Sequence, residues 1–209
     1  MKLAWMLGVG SVGFAVSAHA AVVISEINYM PPTNGQDTEF VEIFNTGAAV
    51  VDLAEWSWSG IGFTFPTGAS LAPGGVWVVA LELTDTTDTN VESFEHFYGN
   101  GNGVVDVGEF AYPVVDATGG MVDGGEVIAL LDGTGATVDS FDYTGLLGST
   151  NAAGLTAERH SPATGDFVPG TVAGGTPGST EFALVALPEP TSLLLVATPL
   201  LALIRRRHS

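Results

Sequence analysis

Between residues 21 and 161 no long stretch of this chain keeps the apolar period of a helix. Short β-branched and aromatic runs recur instead, separated by clusters of glycine, proline and aspartate. That pattern points to an all-β fold. In "VVISEINYM" (22–30) alternation predicts Val23, Ile27 and Tyr29 on one face, and "EFVEIFN" (39–45) sets Val41 and Ile43 opposite Phe40, Glu42 and Phe44. "VWVVAL" (76–81) is apolar on both faces, as an interior strand is. "VIALLDGTGATVDSFDY" (127–143) predicts a hairpin turning at Asp132 to Gly135, with Phe141 and Tyr143 sharing a face. Pro66 and the run Ala72-Pro73-Gly74-Gly75 cannot sit inside a central strand, so they mark turns between sheets. Trp56 and Trp58, two apart, share a face as packing residues, with stacking on sugar as the functional alternative. Strands at such short spacing predict two packed antiparallel sheets.

Charge narrows the function classes. The chain of 209 residues has a formal charge of −18, and its five basic residues are Lys2, Arg159, Arg205, Arg206 and Arg207. Nucleic acid is excluded as a partner on this ground, since its binding rests on lysine and arginine neutralising phosphates. An anionic membrane surface would repel the chain as well. Without cysteine there is no disulfide framework and no thiol nucleophile. At 46% hydrophobic residues, disorder is a poor description of the whole.

Both ends have the form of addresses. Residues 1–20 hold one lysine, an apolar stretch, and Ala18 and Ala20 flanking His19, the pattern of a signal peptide cut after Ala20. At the other end Pro188, Glu189 and Pro190 precede an uncharged run over 191–204, which Arg205, Arg206 and Arg207 close. As a helix that run is about 21 Å long against a hydrocarbon core of about 30 Å, short for a permanent span. The arginines favour the cytoplasmic side. The three parts, in this order, resemble the PEP-CTERM sorting tail of Gram-negative bacteria. That resemblance implies an exosortase as partner, transient residence of the C-terminal helix in the inner membrane, and removal of the tail before the protein reaches the surface or the medium. A plain C-terminal anchor is the alternative. With both ends removed, the 23 acidic residues less Glu189 face Arg159 alone, a formal charge of −21.

The interior motifs resemble the lamin tail domain, through "VVISEINYMPP" (22–32), "DTEFVEIFNTG" (37–47), "VVDLAEWSWSG" (50–60), "FTFPTGASLAPGGVWVVA" (63–80), the hairpin from 124 to 143, "GLTAERHS" (154–161) and "GGTPGS" (174–179). The resemblance implies an immunoglobulin-like antiparallel β-sandwich. The segment from Leu83 to Met121 departs from it in length, and Thr156-Ala157 stand where the family has a more apolar pair. The domain organisation expected is a signal peptide over 1–20, a sandwich over 21–179, a linker over 180–187 and a sorting tail over 188–209.

Candidate sites are few. Arg159, alone among acids, is expected to form a structural ion pair with Glu42 or Glu39. In "YGNGNGVVDVGEF" (98–110) Asn100, Asn102, Asp106 and Glu109 have the spacing of a calcium loop, with "NVESFEHF" as a short leading helix. Tyr98 stands where that pattern requires aspartate, so a glycine-rich surface loop is the competing reading. His96 and His160 belong to no zinc motif, and no nucleophile elbow or phosphate loop is present. The expectation is therefore a non-catalytic surface or matrix protein, structural or adhesive, which the sorting family associates with exopolysaccharide. A calcium-dependent binding module and a secreted hydrolase using a carboxylate pair such as Asp139 and Asp142 remain the alternatives.

Overall fold

A computed structural model describes residues 21–31, 38–85, 93–148, 151–179 and 182. Eleven strands and a single short helix are found among them: β1 (Val22–Asn28), β2 (Phe40–Asn45), β3 (Val51–Asp52), β4 (Ser57–Ser59), β5 (Ser70–Leu71), β6 (Val76–Ala80), α1 (Phe94–Tyr98), β7 (Val114–Asp116), β8 (Val127–Leu131), β9 (Thr137–Asp142), β10 (Ala157–Arg159) and β11 (Phe167–Pro169). The main sheet runs β11-β10-β1-β2-β6-β7; a second sheet, β4-β8-β9, and a β3-β5 ribbon complete the strands.

Burial follows the strand period. Val41 and Ile43 of β2 and Trp77 and Val79 of β6 point inward, meeting Trp58 of β4, Ile128 and Leu130 of β8, and Tyr143 in one apolar core between the sheets. Trp56 packs against this core and Trp58 lies within it, so both tryptophans serve packing. Phe40, Val76, Val78 and Ala80 point the other way, into a second cluster with Phe94 of α1. The main sheet is thus covered on both faces, which is why β6 is apolar throughout.

The structure corrects two expectations. The core face of β1 is Val22, Ile24, Ile27 and Tyr29, without Val23. A bulge between Ile24 and Glu26 supplies the extra residue that shifts the alternation by one. The sheets are also not wholly antiparallel: β6 and β7 pair in parallel, Val78 opposite Val114 and Ala80 opposite Asp116. A parallel neighbour needs a long crossover, and residues 81–113, with α1 among them, provide it. The long departure from the family pattern is thus a structural connection, and its residues Phe94, Tyr98, Phe110 and Tyr112 roof the outer face.

Candidate functional site

Three constellations bring charged groups together, and the first concerns Arg159. Its side chain is 3% exposed; Nη2 donates to the Asp139 carboxylate, Nη1 to the Thr164 carbonyl and Nε to the Ile24 carbonyl. Asp139 accepts a second bond, from the Ile24 N–H at 2.8 Å. The guanidinium also lies 4.9 Å from the centre of the Phe167 ring, which stacks on Phe141. The result is a staple joining β1 and β10 of the main sheet to β9 of the facing sheet. Burial pulls the guanidinium's pKa down, and Asp139 beside it pushes back.

The ion pair is therefore with Asp139, not with Glu42 or Glu39. Strand parity explains the correction. Glu158 faces Glu26 across β10 and β1 on the outer side of the sheet, so its neighbour Arg159 must point inward. Glu42 shares the outer side with Phe40, and Glu39 accepts from the Met121 N–H at 2.9 Å. Because Arg159 holds Asp139, the hydrolase pair Asp139 and Asp142 has its first member committed to structure.

The second constellation is the loop after α1. Ser93 caps the helix by accepting from the His96 N–H, and the chain then folds back on itself. Asn100 and Asn102 both donate through Nδ2 to Asp106 Oδ2, each at 2.9 Å. Glu109 accepts from the Asn100 N–H at 2.6 Å and the Asp106 N–H at 2.7 Å. The four residues chosen for their spacing do meet, but their oxygens face the loop's own N–H groups. Glu95, which the spacing argument missed, is buried beneath them and accepts from the Asn102 and Gly103 N–H groups. Its position in the first turn of the helix, seven residues before Asn102, was the available signal. Tyr98, in place of the aspartate, is a packing residue: its ring lies 5.8 Å from Phe40 and its hydroxyl donates to the Gly174 carbonyl at 2.6 Å. Among the described residues, no group of three or more His, Cys, Asp or Glu side chains is placed to hold a metal ion.

The third constellation was not foreseen as a unit. Glu158, Glu26 and Glu42 occupy directly opposed positions on β10, β1 and β2, three carboxylates in a row across the outer face. Glu26 is 3% and Glu42 1% exposed. Thr156 donates to Glu26 and Ser25 to Glu42, each at 2.6 Å. Residues 170–179 cross above them as a strap: the Thr176 N–H donates to Glu26 at 3.0 Å and the Gly178 N–H to Glu42 at 2.6 Å. The strap must be glycine-rich. Gly175 and Gly178 have φ of +82°, and a Cβ on the first would collide with Glu26 and on the second with the Tyr112 ring. A cavity of about 10 Å³ remains beneath, lined by Ser25, Glu26, Glu42, Glu158, Thr176, Ser179 and Phe182. Desolvation raises the Glu26 pKa to about 7 and that of Glu42 to about 8, against the opposing hydrogen bonds. It raises Glu158 as well.

The sorting and cleavage residues Ala18, Ala20, Pro188, Glu189, Pro190, Arg205, Arg206 and Arg207 lie outside the described residues, as do the signal peptide and the 191–204 segment. Among the described residues no helix is long and apolar enough to cross a membrane.

Two facing sheets, strands that alternate between an inner core and an outer layer, and a single short helix among the described residues define an immunoglobulin-like β-sandwich module. The Lamin Tail Domain family matches residues 15–145, more than half of the chain, and the protein belongs to that family. No curated protein sequence matches it. The match ends before β10 and β11, although both complete the main sheet beside β1.

Proposed function

We propose that this lamin tail domain protein is an exported, non-catalytic module of a Gram-negative cell surface or extracellular matrix, delivered by its signal peptide and freed from a PEP-CTERM tail by an exosortase. One observation supports the reading above others. The sandwich is followed closely by the sorting pattern: Phe182 still packs on Phe44, with ring centres 4.9 Å apart, and Pro188 comes only six residues later. The chain that must pass from folded domain to membrane is thus a short connector, as a cleavable tether requires. Once freed, the domain has a structural or adhesive role, and its strongly anionic character suits cationic or neutral partners, exopolysaccharide included.

The test is the intact mass of the protein recovered from the cell surface and the medium, with sequencing of its C-terminal peptide. A C-terminus between Leu187 and Pro190 is expected. Recovery of Arg205 to Ser209 on the membrane-bound protein would make it a simple tail-anchored domain and overturn the sorting reading.

A further inference from the structure

The outer face of the main sheet holds three opposed carboxylates that no described cation reaches, because Arg159, the only Lys or Arg among the described residues, is bound to Asp139 on the other face. What covers them is the strap, whose Thr176 and Gly178 N–H groups donate to two of those carboxylates. Just upstream the strap is moored by neutral groups: the Gly174 N–H donates to the Gly154 carbonyl at 2.7 Å, and the Gly174 carbonyl accepts from Tyr98. We propose that residues 176–179 are a pH-sensitive clasp, docked over Glu158, Glu26 and Glu42 while these share protons and released when they ionise.

Docking and ionisation are linked. Docking excludes water from the row, which disfavours its charged form, while the strap's Thr176 and Gly178 N–H groups favour it; desolvation is the larger of the two effects, so ionisation disfavours docking. Every titratable or charged group facing the row from a packed element works in the same direction. Glu158 on β10 and Glu26 and Glu42 on the two neighbouring strands repel one another. Tyr98 of α1 and Tyr112 before β7 supply no positive charge; the carboxylates raise their own pKa values in addition to burial. The described strap residues facing the cavity are Thr176, Ser179 and Phe182, none of them charged. The window follows from the direction of the shifts: docking is favoured at acid pH and lost as pH rises through about 7 to 8. Release of residues 176–179 would add four residues, up to roughly 14 Å, to the connector between the sandwich and the residues that follow. Release of the strap is independent of whether the tail is a sorting signal.

The experiment is hydrogen exchange of the full chain from pH 5 to pH 9, corrected for intrinsic exchange, read on peptides covering 174–182 and on peptides from β2 and β6 as internal controls. Protection at Thr176 and Gly178 is expected to fall by about tenfold or more across the range, the response to roughly one pKa unit of coupling, while β2 and β6 stay protected. In the Glu26→Gln, Glu42→Gln double variant, which keeps a carbonyl acceptor for each N–H but cannot ionise, protection is expected to stay level. Strap protection in the native chain that does not change with pH, or a fall of equal size in the double variant, would overturn the clasp. The native titration stands by itself should the variant fold poorly.

Discussion

The two faces of the main sheet bury charge in opposite ways. On the inner face one cation meets one carboxylate, and the remaining guanidinium bonds go to the Ile24 and Thr164 carbonyls, so Arg159 is satisfied at every nitrogen. On the outer face three carboxylates lie side by side and are satisfied by hydroxyls and amides alone. The inner arrangement ties two sheets together and responds to loss of a partner. The outer one holds down a strap and responds to loss of protons. One sheet therefore has a fixed side and a conditional side.

The sharpest way to break this contrast is Arg159→Ala. It leaves Asp139, whose side chain is 17% exposed, without its counter-ion and removes the guanidinium bonds to two carbonyls, and a stability loss of about 3 kcal/mol is expected in chemical denaturation. Arg159→Met with Asp139→Leu removes both charges and is expected to recover only part of that loss, because the Ile24 N–H and carbonyl would then lack partners. Wild-type stability in Arg159→Ala would mean that the inner pair joins nothing.

Next in size is the pH response of the outer face. Glu26 and Glu42 have folded pKa values raised above the usual carboxylate range, so the folded state binds their protons more tightly than the unfolded chain does. Their contribution is fully present below about pH 4.5 and is lost as pH rises through about 7 to 8. Denaturation at pH 5 and pH 8 is expected to differ by on the order of 2 kcal/mol, less than two isolated groups would give because the strap can open locally instead. Glu42→Gln is expected to lower stability slightly at pH 5 and raise it at pH 8. The same ordering at both pH values would show that the carboxylates are not desolvated in solution.

How much of this contrast was legible beforehand differs between the faces. Alternation in "EFVEIFN" and the double-sided apolarity of "VWVVAL" located β2 and β6 and their facing directly. The bulge after Ile24 has no local signature, and it moved Val23 off the core face. The Arg159 partner was misread for a related reason. Glu42 and Glu39 were chosen as acids in an otherwise apolar strand, while Asp139 sits in a hairpin where acids look ordinary, and only the packing of one sheet on the other brings it to β10. The same acids in apolar strands were in fact the sign of the carboxylate row. Nothing in β1 or β2 says that the crossover and the strap will roof their outer face, so the row needed the structure. "GGTPGS" was legible as a family motif, and its physical reason, close passage over Glu26 and Tyr112, needed the structure.

A smaller effect separates the two halves of the outer roof. The aromatic half depends on α1, whose Ser93 cap accepts from the His96 N–H. Ser93→Ala is expected to cost about 1 kcal/mol, and to loosen exchange at Phe94 to Tyr98 before it affects the strap beyond Gly174.

The loop after α1 should give the smallest effect, and it decides whether that region is roof or receptor. If Asn100, Asn102, Asp106 and Glu109 form a calcium site, the ion must displace the two Asn Nδ2 donors from Asp106 and the two N–H groups from Glu109, all of which now occupy the carboxylate oxygens as hydrogen-bond donors. Such a loop is already closed, so millimolar calcium is expected to move the melting temperature by no more than about one degree, with no reversal on chelation. Asp106→Asn should then cost little and leave the calcium response unchanged. A rise of several degrees that chelation reverses and Glu109→Gln abolishes would instead make the loop a calcium-dependent binding element, and the roof over the aromatic half would be the part of the molecule that meets a partner.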